Sequence, residues 1–146
     1  MEKTCGEIKP CIKIEKKTVG KKIPEYLDKI SRVTFDRLKD LVLQKLVVEK
    51  LYRDRTYNAR RLASDLHTNT RYVSIVLSVR YHANYSQFVN RLRIEEAMAL
   101  LHDPRYARLR IEEISDMVGF SNRQSFHRAF CQIAGKTPRE YQEGYN

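Results

Sequence analysis

Between Asn122 and Ile133 the chain reads NRQSFHRAFCQI. Two arginines, two glutamines, a serine and a histidine fall within twelve positions, and there is no carboxylate. In a chain that is 32% charged, an ordinary solvated helix face would carry some Asp or Glu. These residue types suit one chemistry above others. Arginine donates a paired hydrogen bond to guanine O6 and N7, and glutamine pairs in the same way with adenine N6 and N7. A carboxylate among them would repel phosphates. Cys131 reads as a passive thiol, and His127 as a phosphate contact or a solvent-facing residue rather than a pH switch. Ser121-x-x-Gln124 also fits a capping box, so Gln124 stays divided between satisfying backbone N–H groups and reading a base.

For these side chains to face outward, something must hold the helix from behind. With each residue turning about 100° around a helix axis, Phe126, Phe130 and Ile133 fall within about 60° of one another, with Ala129 beside them. That is the expected core face. Gln124, Arg128 and Cys131 point the opposite way, flanked by Arg123 and His127 on one side and by Ser125 and Gln132 on the other. Ahead of this helix, IEEISDMV (111–118) supplies Ile114 and Val118 for a buried side and Ser115 as a small residue. Gly119 follows as a turn that takes positive φ without a Cβ clash, and Phe120 reads as core. Helix, tight turn and second helix together make a helix-turn-helix.

The same pattern occurs earlier, at a spacing of 53 residues. Leu77 lines up with Phe130, His82 with Gly135, Tyr85 with Pro138 and Phe88 with Tyr141. Before the turn the offset is 52, pairing Ala63 with Ser115 and Leu66 with Val118. NARRLASDL is the first short helix, and TNTRYVSIVLSVRY, capped by Asn69, the second. His67 takes the place of the turn glycine and reaches left-handed backbone only at some cost. Between the copies, NYSQFVNRLRIEEAMALL is a long helix with two apolar stripes: Phe88, Leu92 and Ala99, and Ile94, Met98 and Leu101. A helix with two stripes packs on both sides, as a connector between two small cores does. TFDRLKDLVLQKLVVEKLY places Leu38, Leu41, Val42, Val48 and Leu51 near helical period, with Thr34 as the expected cap. TPREYQ is a last turn with Pro138 at its first position.

Residues 1–33 differ from the rest. Nine Lys/Arg against five acids give +4, and helical periodicity is absent until about Pro24. They read as a flexible basic arm, although Ile12 and Ile14 alternate weakly like a short strand. The whole chain has 146 residues, a net charge of +10 and a pI of about 9.6. A small domain this basic usually meets a polyanion. No apolar run approaches the roughly 18 residues of a membrane span, and no secretory leader is legible. Three cysteines, Cys5, Cys11 and Cys131, form no framework and no zinc set, which suits a reducing compartment. No cofactor or metal is expected.

At this point NRLRIEEAMALL followed by IEEISDMVGFSNRQSFHRAFCQIAGKTPREY resembles the DNA-binding domain of the AraC/XylS family of bacterial transcription regulators. Ile111, Ile114, Gly119, Phe120, Phe126, Phe130, Gly135, Thr137, Pro138 and Tyr141 match the family signature in order, and the resemblance covers about residues 40–143. It implies an all-α fold of two helix-turn-helix subdomains, about 58–82 and 111–134, joined by a linker helix at about 85–101 and lying within a domain spanning 34–143. It implies a regulator reading two successive major-groove segments of double-stranded promoter or operator DNA.

Carried over by position, Arg123, Gln124, Ser125 and Arg128 fall on the base-facing positions of the second recognition helix. The first helix, Thr70–Arg80, offers Arg71, Ser74, Ile75 and Ser78 outward; Ile75 would touch a thymine methyl, and this half would be the weaker reader. Thr70, His127, Arg110 and Lys136 are the expected phosphate contacts, with the basic arm. Ser115 stands where the family mostly has Ala, His67 and His82 stand for glycines, and Gln142 for a basic residue. The 33-residue arm is too short for a sensor domain, so the resemblance implies a stand-alone cytoplasmic, nucleoid-associated regulator, monomeric on DNA, with RNA polymerase as a further partner. It does not imply an enzyme: Cys11 stands without a zinc cluster or catalytic domain. The alternative is a protein-interaction module of the same fold that has lost specific DNA binding.

Overall fold

Residues 32–144 are described by a computed structural model of the chain, and the arm up to residue 31, with Cys5, Cys11, Ile12 and Ile14, lies outside the described residues. Seven α-helices are seen among the described residues, and no strand. The first, α1 (Arg32–Leu43), continues into a π-helical turn at Gln44–Val48 and ends at Lys50, whose backbone is left-handed (φ 53°). Thr34 therefore sits inside the helix and is not its cap. Val42 and Leu46 are fully buried, whereas Leu41 and Val48, expected on the apolar stripe, are exposed. The wider i→i+5 turn changes the angle per residue after Leu43, which rotates Val48 away from the core and brings Leu46 in.

The first helix-turn-helix is α2 (Ala59–Asp65) and α3 (Thr70–Tyr81). Asn58 and Asn69 cap them, their side chains accepting from the backbone N–H of Arg61 and Tyr72 at 3.0 Å each. His67 (φ 51°) makes the turn and His82 (φ 50°) ends α3, so two histidines hold the left-handed backbone that glycine would adopt without strain. The linker α4 (Tyr85–His102) starts with a reciprocal cap between Asn84 and Gln87. The second unit is α5 (Ile111–Val118), α6 (Arg123–Ala134) and the short α7 (Pro138–Glu143), with Pro138 in its first turn. The repeat holds in three dimensions. Helix α3 maps onto α6 from Thr70 to Arg123 and from Tyr81 to Ala134, a shift of 53 at both ends, and the caps Asn69 and Asn122 obey the same shift.

Each unit has its own core. Val42, Leu46, Tyr52, Leu62, Val73, Leu77, Phe88 and Leu92 belong to the first. Ile94, Ala97, Leu101, Ile114, Val118, Phe120, Phe126 and Phe130 belong to the second. On α4 the change of allegiance falls between Leu92 and Ile94, two positions that point about 200° apart on a helix. The linker thus serves one core with its first half and the other with its second. Ala99, assigned to the first stripe by periodicity, belongs to neither core, because by that point the helix has left the first unit behind.

The units also meet away from the linker. A 3-10 turn at Leu51–Arg53 packs against both α4 and α5. Arg53 Nε donates to Glu96 at 2.9 Å and Lys50 Nζ at 3.0 Å, while a second Arg53 nitrogen holds the other carboxylate oxygen. Arg55 bonds Asp116 of α5 at 2.7 Å. A Cβ added to Gly119 would stand 2.5 Å from the Arg53 carbonyl oxygen, so this glycine is required both by its φ of 101° and by the backbone passing over it.

Candidate nucleic-acid interface

Helix α6 begins where the sequence turns polar after the buried Phe120. Asn122, in extended conformation, accepts from the Ser125 N–H at 2.8 Å and caps the first turn. The cap is therefore Asn122 and not Ser121, and Ser125 rather than Gln124 occupies the position bonded to it. Gln124 is left on the exposed first turn without a capping role.

The inner face of α6 is aromatic. Phe126 packs edge-on against Phe120 with centroids 5.3 Å apart, and lies 5.6 Å from Phe130, which in turn meets Tyr141 of α7 at 5.5 Å. Edge-to-face geometry of this kind adds to the burial of three large rings and holds the helix at one rotation. Ile133, expected with them, is 40% exposed: it is one turn beyond Phe130, where Ala134 takes over the packing.

The outer face presents Arg123, Gln124, Ser125, His127, Arg128 and Gln132, all exposed. Arg128 has no carboxylate ion-pair partner among the described residues. Arg123 has one: its guanidinium reaches Glu112 in the first turn of α5 at 3.2 Å. That acid, contributed by another helix, was invisible to a reading of α6 alone. His127 Nδ1 lies 3.7 Å from the Cys131 thiol one turn on. Arg110 precedes α5, its backbone N–H donating to Glu113 at 2.7 Å and its exposed side chain beside the same carboxylate. Lys136 is exposed just after α6.

On α3 the equivalent face is plainer. Thr70, Arg71, Ser74 and Ser78 are exposed, and Ser74 and Ser78 line a shallow depression with His82, Ala83, Asn84 and Gln87. Ile75 is not outward: it is 9% exposed. The apolar surface there is carried instead by Tyr72 and Val79, a turn to either side on the same face and each nearly two-fifths exposed. Placing residues by angle alone missed this, because burial depends on what the neighbouring turns cover. Helix α1 lies along α3 as well, with Arg80 bonded to Asp36 at 2.6 Å and its guanidinium 5.2 Å from the Phe35 ring. Neither α3 nor α6 contains an acid.

No helix among the described residues is long and apolar enough to cross a membrane. The family model described as a helix-turn-helix domain matches residues 62–144, more than half of the chain. Among solved structures, the chain is similar to the C-terminal domain of the two-component response regulator yesN from Fusobacterium nucleatum, with 24% identity and a TM-score of 0.62, covering 73% of this chain and 98% of that one. It is similar to the C-terminal domain of AraT, a response regulator from Geobacillus stearothermophilus, at 21% identity and a TM-score of 0.62, covering 80% and 88%. A protein of unknown function from Listeria innocua matches at 19% identity and a TM-score of 0.59, covering 70% and 96%. At these identities the likeness shows a shared fold. No curated protein matches the chain.

Proposed function

The chain belongs to the AraC-type helix-turn-helix family of DNA-binding transcription regulators, whose model spans more than half of it, and on that premise we propose that it reads two adjacent major-groove segments of promoter or operator DNA with α6 and α3. The observation that carries this reading is the outer face of α6: Arg123, Gln124, Ser125 and Arg128 all exposed, no acid in the helix, and an aromatic core fixing its rotation. Arg128 and Arg123 read guanine, and Gln124, released from capping, reads adenine. Ser125 supplies a shorter polar contact. Arg71 and Ser74 give α3 a weaker readout, and Ile75 takes no part. Thr70, His127, Arg110 and Lys136 contact phosphates and set register without reading sequence. The protein acts as a monomer on DNA, with RNA polymerase as a second partner.

A selection from random duplexes tests this. Enrichment of two half-sites about one helical turn apart, one more degenerate than the other, is the expected result. The exposed Tyr72 and Val79 on α3 favour one other reading, a protein-docking face. Absence of any enriched duplex and binding no tighter than to random DNA at physiological salt, alongside a protein partner recovered in pull-downs, would favour that reading instead.

A further inference from the structure

Two bodies joined by one helix keep freedom to bend and twist about it. A second attachment off the helix axis removes that freedom. The segment Lys50–Arg55 is such an attachment. It precedes the first helix-turn-helix in sequence, yet its polar groups close on the linker and on the second unit. Glu96 of α4, only 11% exposed at its side chain, accepts from Lys50 and from two nitrogens of Arg53, and it also hydrogen-bonds the Tyr52 hydroxyl. Arg93, one turn back on α4, donates to the Tyr52 carbonyl at 2.7 Å and lays its guanidinium 5.5 Å from the centre of the Phe120 ring, in the second core. Arg55 reaches Asp116, and the Arg53 carbonyl lies over Gly119 with no room for a Cβ. Every one of these contacts reaches across the joint or anchors the segment that does.

We infer that Lys50–Arg55 is a clamp, closed on Glu96, that fixes the angle between α3 and α6 and so sets the half-site spacing this chain accepts. Glu96, Arg53 and Arg55 are positioning residues: they act through the placement of the two recognition helices. The spacing consequence rests on the two-segment reading proposed above, whereas the clamp itself does not. A fixed angle makes binding selective for helical phase. Moving one half-site by about 5 bp turns it to the opposite side of the duplex, out of reach of a rigid pair.

The test uses the full chain and three variants. Glu96→Gln opens the clamp without changing side-chain size. Arg55→Gln cuts the exposed tie to Asp116 without touching either core. Glu49→Gln, whose partner is Lys45 within the first unit, removes one acid without touching the joint. In the free protein, residual dipolar couplings from α2 and α3 and from α5 and α6 report whether the units share one alignment frame. One frame is expected for the wild type and Glu49→Gln, and two for Glu96→Gln. Arg55→Gln stands in if Glu96→Gln does not fold. On duplexes, a shift of about 5 bp between half-sites should cost the wild type on the order of tenfold or more and Glu96→Gln clearly less. Two frames in the wild type, or one unchanged frame in both joint variants, would overturn the clamp. A wild type with one frame and no two-part site would leave the clamp standing and remove the two-segment reading.

Discussion

Arg123 opens α6 and Arg128 lies five residues on, about 140° further round the helix, and the two differ in what surrounds them. Arg128 has no carboxylate ion-pair partner among the described residues, so its replacement breaks no such pair. Arg128→Ala should cost about 1–3 kcal/mol on the selected site and flatten base preference there, read by competition titrations against single-base variants. Equal weakening on all duplexes would assign it to phosphate contact instead. Arg123 is held by Glu112, an exposed pair of small intrinsic worth. If α6 reads DNA as proposed, an acid beside it disfavours phosphate and holds back sequence-independent binding. Glu112→Gln should therefore tighten binding to random duplex more than to the selected site, narrowing their ratio; an unchanged ratio would place Glu112 away from the DNA. The outer face of α6 was legible from sequence because a helix fixes its own angles. Glu112 was not, because its contact with Arg123 crosses a turn whose path no local pattern gives. Ile75 failed for a related reason, its burial being set by adjoining turns.

At the level of elements, the two left-handed glycines of the second unit offer a controlled comparison. Gly135 (φ 70°) has nothing within 4 Å of an added Cβ, whereas Gly119 (φ 101°) has the Arg53 carbonyl. Gly135→Ala should cost only the left-handed strain, about 1–2 kcal/mol. Gly119→Ala adds a backbone clash and should lower the thermal midpoint well beyond that. Comparable losses would mean that the joint yields easily. Removing the cap with Asn122→Ala should cost about 1 kcal/mol in chemical denaturation, the usual worth of an N-cap. The helices, the turn at Gly119 and the cap Asn69 could be read from periodicity and residue type. The π-helical turn could not, since QKLVV carries no signal for i→i+5 bonding, and with it went Val48 and Leu46. Ser121-x-x-Gln124 carries the capping-box pattern, but Asn122 is an equally good N-cap residue one position on, and only the backbone path selects it.

For the whole molecule, the joint is the part the sequence conceals. In RIEEAM, Glu96 looks like any solvated acid on a connector; its partners lie more than forty residues away. Burial alone would push its carboxyl up. Hydrogen bonds from Arg53, Lys50 and Tyr52 outweigh that and hold it below its ordinary value of 4.5. The unfolded chain therefore takes up the proton more readily than the folded one. The stability this gives is fully present above about pH 4.5 and is lost as pH falls through the folded value. Melting curves between about pH 3 and pH 6 should show a steeper acid loss for the wild type than for Glu96→Gln; parallel curves would mean that Glu96 is not held in this way.

The same joint imposes an order on synthesis. Arg53 finds Glu96 43 residues later, and Arg55 finds Asp116 61 residues later. At about 5–20 residues per second, translation separates Arg55 from Asp116 by roughly 3–12 s. The first helix-turn-helix leaves the ribosome well before the groups that complete its edge. Until Asp116 and Gly119 emerge, the nascent chain carries Arg55 without its distant carboxylate and the Arg53 carbonyl uncovered. Completing the first unit's edge therefore means docking an early segment onto a later one, and a translational pause placed between residues 96 and 116 would prolong the half-finished state.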